Sequence, residues 1–83
     1  RKPTNNMFKI VINHEVAAVS ETMESAIKAL PDLICDYADI GNSNLINWGN
    51  DGIIVSPTCN VARTTATVLD MNFNIFICKI KVV

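Results

Sequence analysis

Hydrophobic and polar residues alternate at both ends of the chain. Over Met7 to Asn13, Phe8, Ile10 and Ile12 recur at every second position, with Lys9 and Val11 between them. That is the period of a half-buried strand. Over Phe73 to Val82 the alternation is longer: Phe76, Cys78, Ile80 and Val82 form one face, and Phe73, Ile75, Ile77, Lys79 and Lys81 the other. Both faces of this second segment are apolar across its first half.

The middle of the chain changes period. Val16, Val19, Met23, Ala26, Ile27 and Leu30 fall at spacings of 3 and 4, the stripe of an amphipathic helix. Two readings fit. In one, a helix is capped by Asn13 and runs to Leu30. In the other, Asn13–His14 is a tight turn, Val16 to Val19 is a second strand, and the helix starts at Ser20 or Thr22, with Glu21 and Glu24 beside its positive end. The Ala17–Ala18 pair is poor strand material and favours the first. Pro31 ends or kinks this helix and opens a second piece carrying Leu33, Ile34, Tyr37 and Ile40, with Gly41 as its cap. The runs Leu45 to Trp48 and Ile53 to Ser56 flank Gly49-Asn50-Asp51-Gly52, which predicts a hairpin. Thr58 then caps a helix with Val61, Thr65, Val68 and Leu69 on one side. The β-branched stretch Thr64-Thr65-Ala66-Thr67 suits a strand instead.

In order, the elements are strand, helix, strand, strand, helix, strand. This predicts an α+β fold: a single two-layer domain with an antiparallel four-stranded sheet and helices on one face, the βαββαβ or ferredoxin-like arrangement. A β-hairpin followed by a helix and a β-meander is the alternative. Residues 1–6 are polar, contain Pro3 and read as a flexible leader, leaving 7–83 as one domain.

Composition narrows the function classes. The 83 residues are 49% apolar and 18% charged with a net charge of −1, which describes a folding chain and disfavours a nucleic-acid binder. Three cysteines, Cys35, Cys59 and Cys78, are an odd, dispersed set without a C-x-x-C pair; they read as reduced thiols in a cytoplasmic protein. No apolar run approaches the length of a membrane span. Ten Asn and eleven Ile point to AT-rich coding, a composition that would suit a phage-encoded accessory or host-inhibitory protein.

Candidate chemistry is sparse. Cys59 sits at a predicted helix start, where the dipole would activate a thiol, but Arg63 is too close for a phosphatase loop and that loop's glycines are missing. His14 is the only histidine, and one neighbouring carboxylate, Glu15, does not make a metal site. The sequence therefore calls for no enzyme, no metal and no cofactor.

Charge placement is more informative. From Glu15 to Asp39 there are six acids and one base, a net of −5, while the remainder carries six bases and two acids, a net of +4. Asp32, Asp36 and Asp39 fall on one helical strip, suited to a protein partner with a basic surface. With helices on one sheet face only, Val11, Ile75 and Ile77 would form an uncovered apolar patch rimmed by Lys9, Lys79 and Lys81, suited to a homodimer. The expected function is a small, non-catalytic protein-interaction module using these two surfaces. The alternatives are a small-molecule-binding regulatory domain working as a dimer and a weak RNA binder using Lys9, Lys79 and Lys81.

Overall fold

The computed structural model describes residues 6–81. They form a small α+β domain: one helix, α1 (Met23–Ala38), packed on a six-stranded antiparallel sheet. The strands are β1 (Asn6–Ile12), β2 (Glu15–Ser20), β3 (Asn47–Trp48), β4 (Ile54–Val55), β5 (Val61–Val68) and β6 (Met71–Lys81). The sheet order is β2-β1-β6-β5-β3, with β4 also paired to β5. The expected four-stranded, two-helix arrangement is therefore corrected in strand and helix number. The element order is that of the hairpin–helix–meander alternative. The leader expected over residues 1–6 lies outside the described residues except for Asn6, which pairs with Lys81 in the sheet.

Asn13 and His14 join β1 to β2 with φ of 50° and 72°. Positive φ at both central residues marks the type I′ turn, whose twist matches that of a two-strand ribbon. Asn13 also clamps this turn to β6: its side-chain oxygen accepts from the Asn74 N–H at 2.8 Å and its amide donates to the Asn72 carbonyl at 3.2 Å. The strand reading of residues 15–20 is the correct one, and a bulge explains the helical spacing. Ile10 pairs with Ala18 but Val11 pairs with Val16, so Ala17 is an extra residue in β2. Ala17 and Ala18 both pack toward the core, while Val16 and Val19 point to the opposite face. A strand bulge has thus produced a three-residue apolar spacing.

The helix starts with a reciprocal cap. Thr22 accepts from the Ser25 N–H at 3.0 Å, and the Ser25 hydroxyl accepts from the Thr22 N–H at 3.3 Å. It runs through Pro31 without a second start. An interior proline costs about 3 kcal/mol. Burial of Leu30 and Ile34, at roughly 1.5–3 kcal/mol each, offsets that loss. The helix closes at Asp39 in the left-handed region (φ 56°), two residues before the expected Gly41. The Ile40 N–H reaches back to the Cys35 carbonyl at 3.0 Å.

Segment 59–70 is also a correction: it is β5 and its turn, not a helix. Ala62, Thr64, Ala66 and Val68 face the helix and are buried, while Val61, Arg63, Thr65 and Thr67 face away. Small inward residues make the alternation faint in hydrophobicity, and the β-branched run decides for strand. The expected hairpin over residues 45–56 is corrected as well. β3 and β4 do not pair with each other; each runs antiparallel to β5, as two parts of one interrupted edge strand. Between the Trp48–Ala66 and Ile54–Arg63 pairs, five edge residues, 49–53, stand against two on β5, Thr64 and Thr65. The Gly49–Gly52 turn is present (Gly52 N–H to Gly49 carbonyl, 3.0 Å), but it lifts a loop out of an edge instead of reversing the chain.

The core lies between α1 and one sheet face, built from Ile10, Ile12, Leu30, Ile34, Val68, Phe73, Ile75 and Ile77. Tyr37 sits at its border, edge-on to Phe73 at 6.4 Å, with its hydroxyl donating to Glu15 Oε1 at 3.3 Å. Desolvation, then the charge and hydrogen bond of Glu15, raise its pKa above the ordinary 10.0. The folded state therefore holds the phenolic proton more tightly than the unfolded state. This contribution is complete below pH 10 and is lost as pH rises toward the folded pKa. Tyr37 is the only tyrosine, so ultraviolet titration reads it directly. Its midpoint is expected above 10.0 and should fall toward that value in Glu15→Gln. An unchanged midpoint would contradict the contact.

Candidate interaction surface

The sheet is two-sided, and α1 covers only one side. On the other, register places side chains in rows across the strands. Val16, Val11, Phe76, Arg63 and Ile54 form a row running across all five strand positions. Val19, Lys9, Cys78 and Val61 form the next, and Met7 with Ile80 a third. Toward the other end of β6 the rows become polar: Asn74 beside Thr65, then Asn72 beside Thr67 and Asn47. Lys9 and Arg63 are the charged residues in these rows; no carboxylate joins them.

Exposure separates the two faces of β6. Ile75 and Ile77 are 1% exposed, whereas Phe76 between them is 43% exposed. The expected patch of Val11, Ile75 and Ile77 therefore mixes two faces. Val11 is on the uncovered side, but Ile75 and Ile77 are core, because the helix packs on the face they share with Phe73. Lys79 and Lys81 are exposed at the far end of that same helix-side face, opposite Phe8 and Asn6, and do not rim the uncovered one. Lys9 does lie on the uncovered face. Phe76, Cys78 and Ile80, assigned to the other face of the terminal strand, take the place of Ile75 and Ile77. Val82 lies outside the described residues.

Asp32 and Asp36 are exposed on α1, and Asp39 is its left-handed cap. No basic residue stands in the last helical turn. Asp36 and Asp39 meet the negative end of the helix dipole without a basic residue in that turn, while Asp32 lies mid-helix, four residues after Lys28. The acidic segment and the Lys9/Arg63 face thus lie on opposite layers of the molecule.

A groove of about 320 Å³ opens at the polar end of the uncovered face. Phe76, Arg63, Thr65 and Asn74 line its floor side, and His14 and residues 49–52 contribute its walls. The loop over 49–52 is held close. The Gly49 N–H donates to the Thr65 carbonyl at 2.9 Å, the Thr64 hydroxyl donates to the Gly52 carbonyl at 2.9 Å, and a Cβ on Gly49 would clash with Thr65 Oγ1. A second cavity of about 270 Å³ lies on the helix side between Ile27, Leu30, Pro31, Trp48 and Ile53.

Cys59 stands at φ 58° in the turn between β4 and β5, with its N–H donating to the Ser56 carbonyl at 2.9 Å. No helix begins there, so the dipole that would activate its thiol is missing. Among the described residues no three His, Cys, Asp or Glu side chains converge as a metal site requires. No helix among them is long and apolar enough to cross a membrane. Comparison with known protein families, curated proteins and solved structures finds no match.

Proposed function

We propose that the chain is a non-catalytic protein-interaction module whose docking surface is the uncovered sheet face. The observation that carries this reading is the row Val16–Val11–Phe76–Arg63–Ile54: four apolar side chains in register over five strand positions, with no element packed on them. Apolar surface of this continuity is costly in water and is characteristic of interfaces. An RNA platform would need two or three stacking aromatics; Phe76 is the one aromatic in these rows. The acidic strip of Asp32, Asp36 and Asp39 faces outward on the opposite layer and stays free while the sheet face is occupied.

A tagged chain offered a bacterial lysate together with an untagged copy of itself tests the reading. The wild type should retain prey, Phe76→Asp should lose it, and an Asp32/Asp36/Asp39 triple Asn variant should retain it. Equal recovery by wild type and Phe76→Asp would overturn the assignment of the surface.

A further inference from the structure

We infer that the occupant of the uncovered face is a second copy of this chain, in a face-to-face dimer with the helices outside. The inference rests on the docking surface proposed above and goes further by naming the partner. Its first support is area. Five strand positions at ~4.8 Å and the 11 residues of β6 at ~3.3 Å bound a face of about 24 by 36 Å, on the order of 600 Å² once the shorter flanking strands are allowed for, the lower end of the range for standard interfaces. A standard interface takes about 800 Å² from each partner.

The second support is chemical. A flat sheet face rich in Val, Ile and Phe is matched by another such face, and two sheets stack at about 10 Å with their side chains interdigitated. Among the described residues the strongly charged counterpart is the acidic outer surface of α1. Docked head to tail, it would satisfy Lys9 and Arg63 but would press desolvated carboxylates against Val11 and Phe76. Repetition of that contact would also build an open filament unless it closed into a ring. Face to face, Phe76 and Cys78 lie on the middle strand, where an aromatic anchor is most fully desolvated. Lys9 and Arg63 flank them on β1 and β5, with stems long enough to carry their charges toward the rim.

The cations give the dimer a distinguishing property. Four like charges approach across the interface, so added salt should tighten the dimer by screening them. Binding of an acidic surface would weaken instead. Cys78 is a built-in reporter: it is half-buried on the docking face, whereas Cys35, also half-buried, lies on α1 in the opposite layer.

Sedimentation velocity of the full chain from 1 to about 500 μM, with thiol alkylation read by mass spectrometry at each concentration, tests the inference. The expected result is a monomer–dimer equilibrium that tightens with salt. Cys78 labelling should slow as dimer forms while labelling of Cys35, on α1, stays constant. Phe76→Asp should raise the dissociation constant more than about thirtyfold, and Val16→Asp should raise it too, both with an intact thermal transition. A monomer throughout would overturn the inference while leaving the docking surface to be judged by prey recovery. Dimers untouched by both substitutions, or larger assemblies abolished by the triple Asn variant, would also overturn it.

Discussion

Ile75→Asp should abolish cooperative folding, while Phe76→Asp, one residue further along the same strand, should leave the thermal midpoint within a few degrees of wild type. Ile75 is 1% exposed between β1, β5 and α1. Truncating a buried isoleucine costs about 2–5 kcal/mol. A carboxylate with no partner there adds several more. A chain of 83 residues has about 4–12 kcal/mol in total, so little or no folded population should remain. Phe76 is 43% exposed on the open face and lies directly opposite Arg63. An aspartate there gains a cross-strand partner of opposite charge, worth about 0.2–1 kcal/mol, against the partial burial it gives up. Circular dichroism melts at low micromolar concentration read both variants. A folded Ile75→Asp would mean that the face assignment of β6 is inverted.

The second large effect is expected at Gly49. Its backbone donates to the Thr65 carbonyl, and an added Cβ would clash with Thr65 Oγ1. Gly49→Ala therefore has to displace a β-branched side chain in the adjoining strand or lift the 49–52 loop. Overpacking of this kind costs about 1–3 kcal/mol. Thr65→Ala removes the obstructing atom, so in that background Gly49→Ala should be nearly neutral. A double-mutant cycle should show coupling of about 0.5–3 kcal/mol. Additive effects would contradict the close approach that holds the loop to β5.

The parts of the fold that were legible in the sequence are those where alternation is strong and uninterrupted. β1 and β6 stand out because Ile10, Ile12, Ile75 and Ile77 are large and regularly spaced, and the turn at Gly49–Gly52 stands out by composition. The parts that misled did so for local physical reasons. The Ala17 bulge gave β2 a helical spacing, and the Ala and Thr residues facing inward from β5 left its period faint. Pro31 looked like a boundary, yet Leu30 and Ile34 are buried firmly enough on the sheet to carry the helix through it. The glycine turn does not reveal that its flanking strands share a partner instead of pairing together, because that depends on β5, a segment whose sequence fits helix or strand.

The candidate surface was legible as a type of feature but not in its residues. A terminal strand with two apolar faces does imply that a single helix layer leaves one face open. Which face is covered depends on where α1 packs, and Phe73, Ile75 and Ile77 continue the Ile10–Ile12 face through the β1–β6 register. The sequence does not display that register, so its pattern alone places Ile75 and Ile77 in the patch where the structure has Phe76 and Cys78. The division of charge survived in altered form. The acidic segment occupies the helix layer, and the strand rows of the open face carry Lys9 and Arg63, with Asp51 of the 49–52 loop at the groove beside Arg63.

Amide chemical-shift mapping of the isotope-labelled chain tests most directly whether this molecule meets its partner through the open face. It should be followed on self-association by dilution, or on adding whatever protein the wild-type bait retains. The largest changes are expected at Val11, Val61, Phe76 and Cys78, with Asp32, Asp36 and Tyr37 of α1 unmoved. Changes concentrated on α1, with the β1, β5 and β6 amides silent, would contradict it.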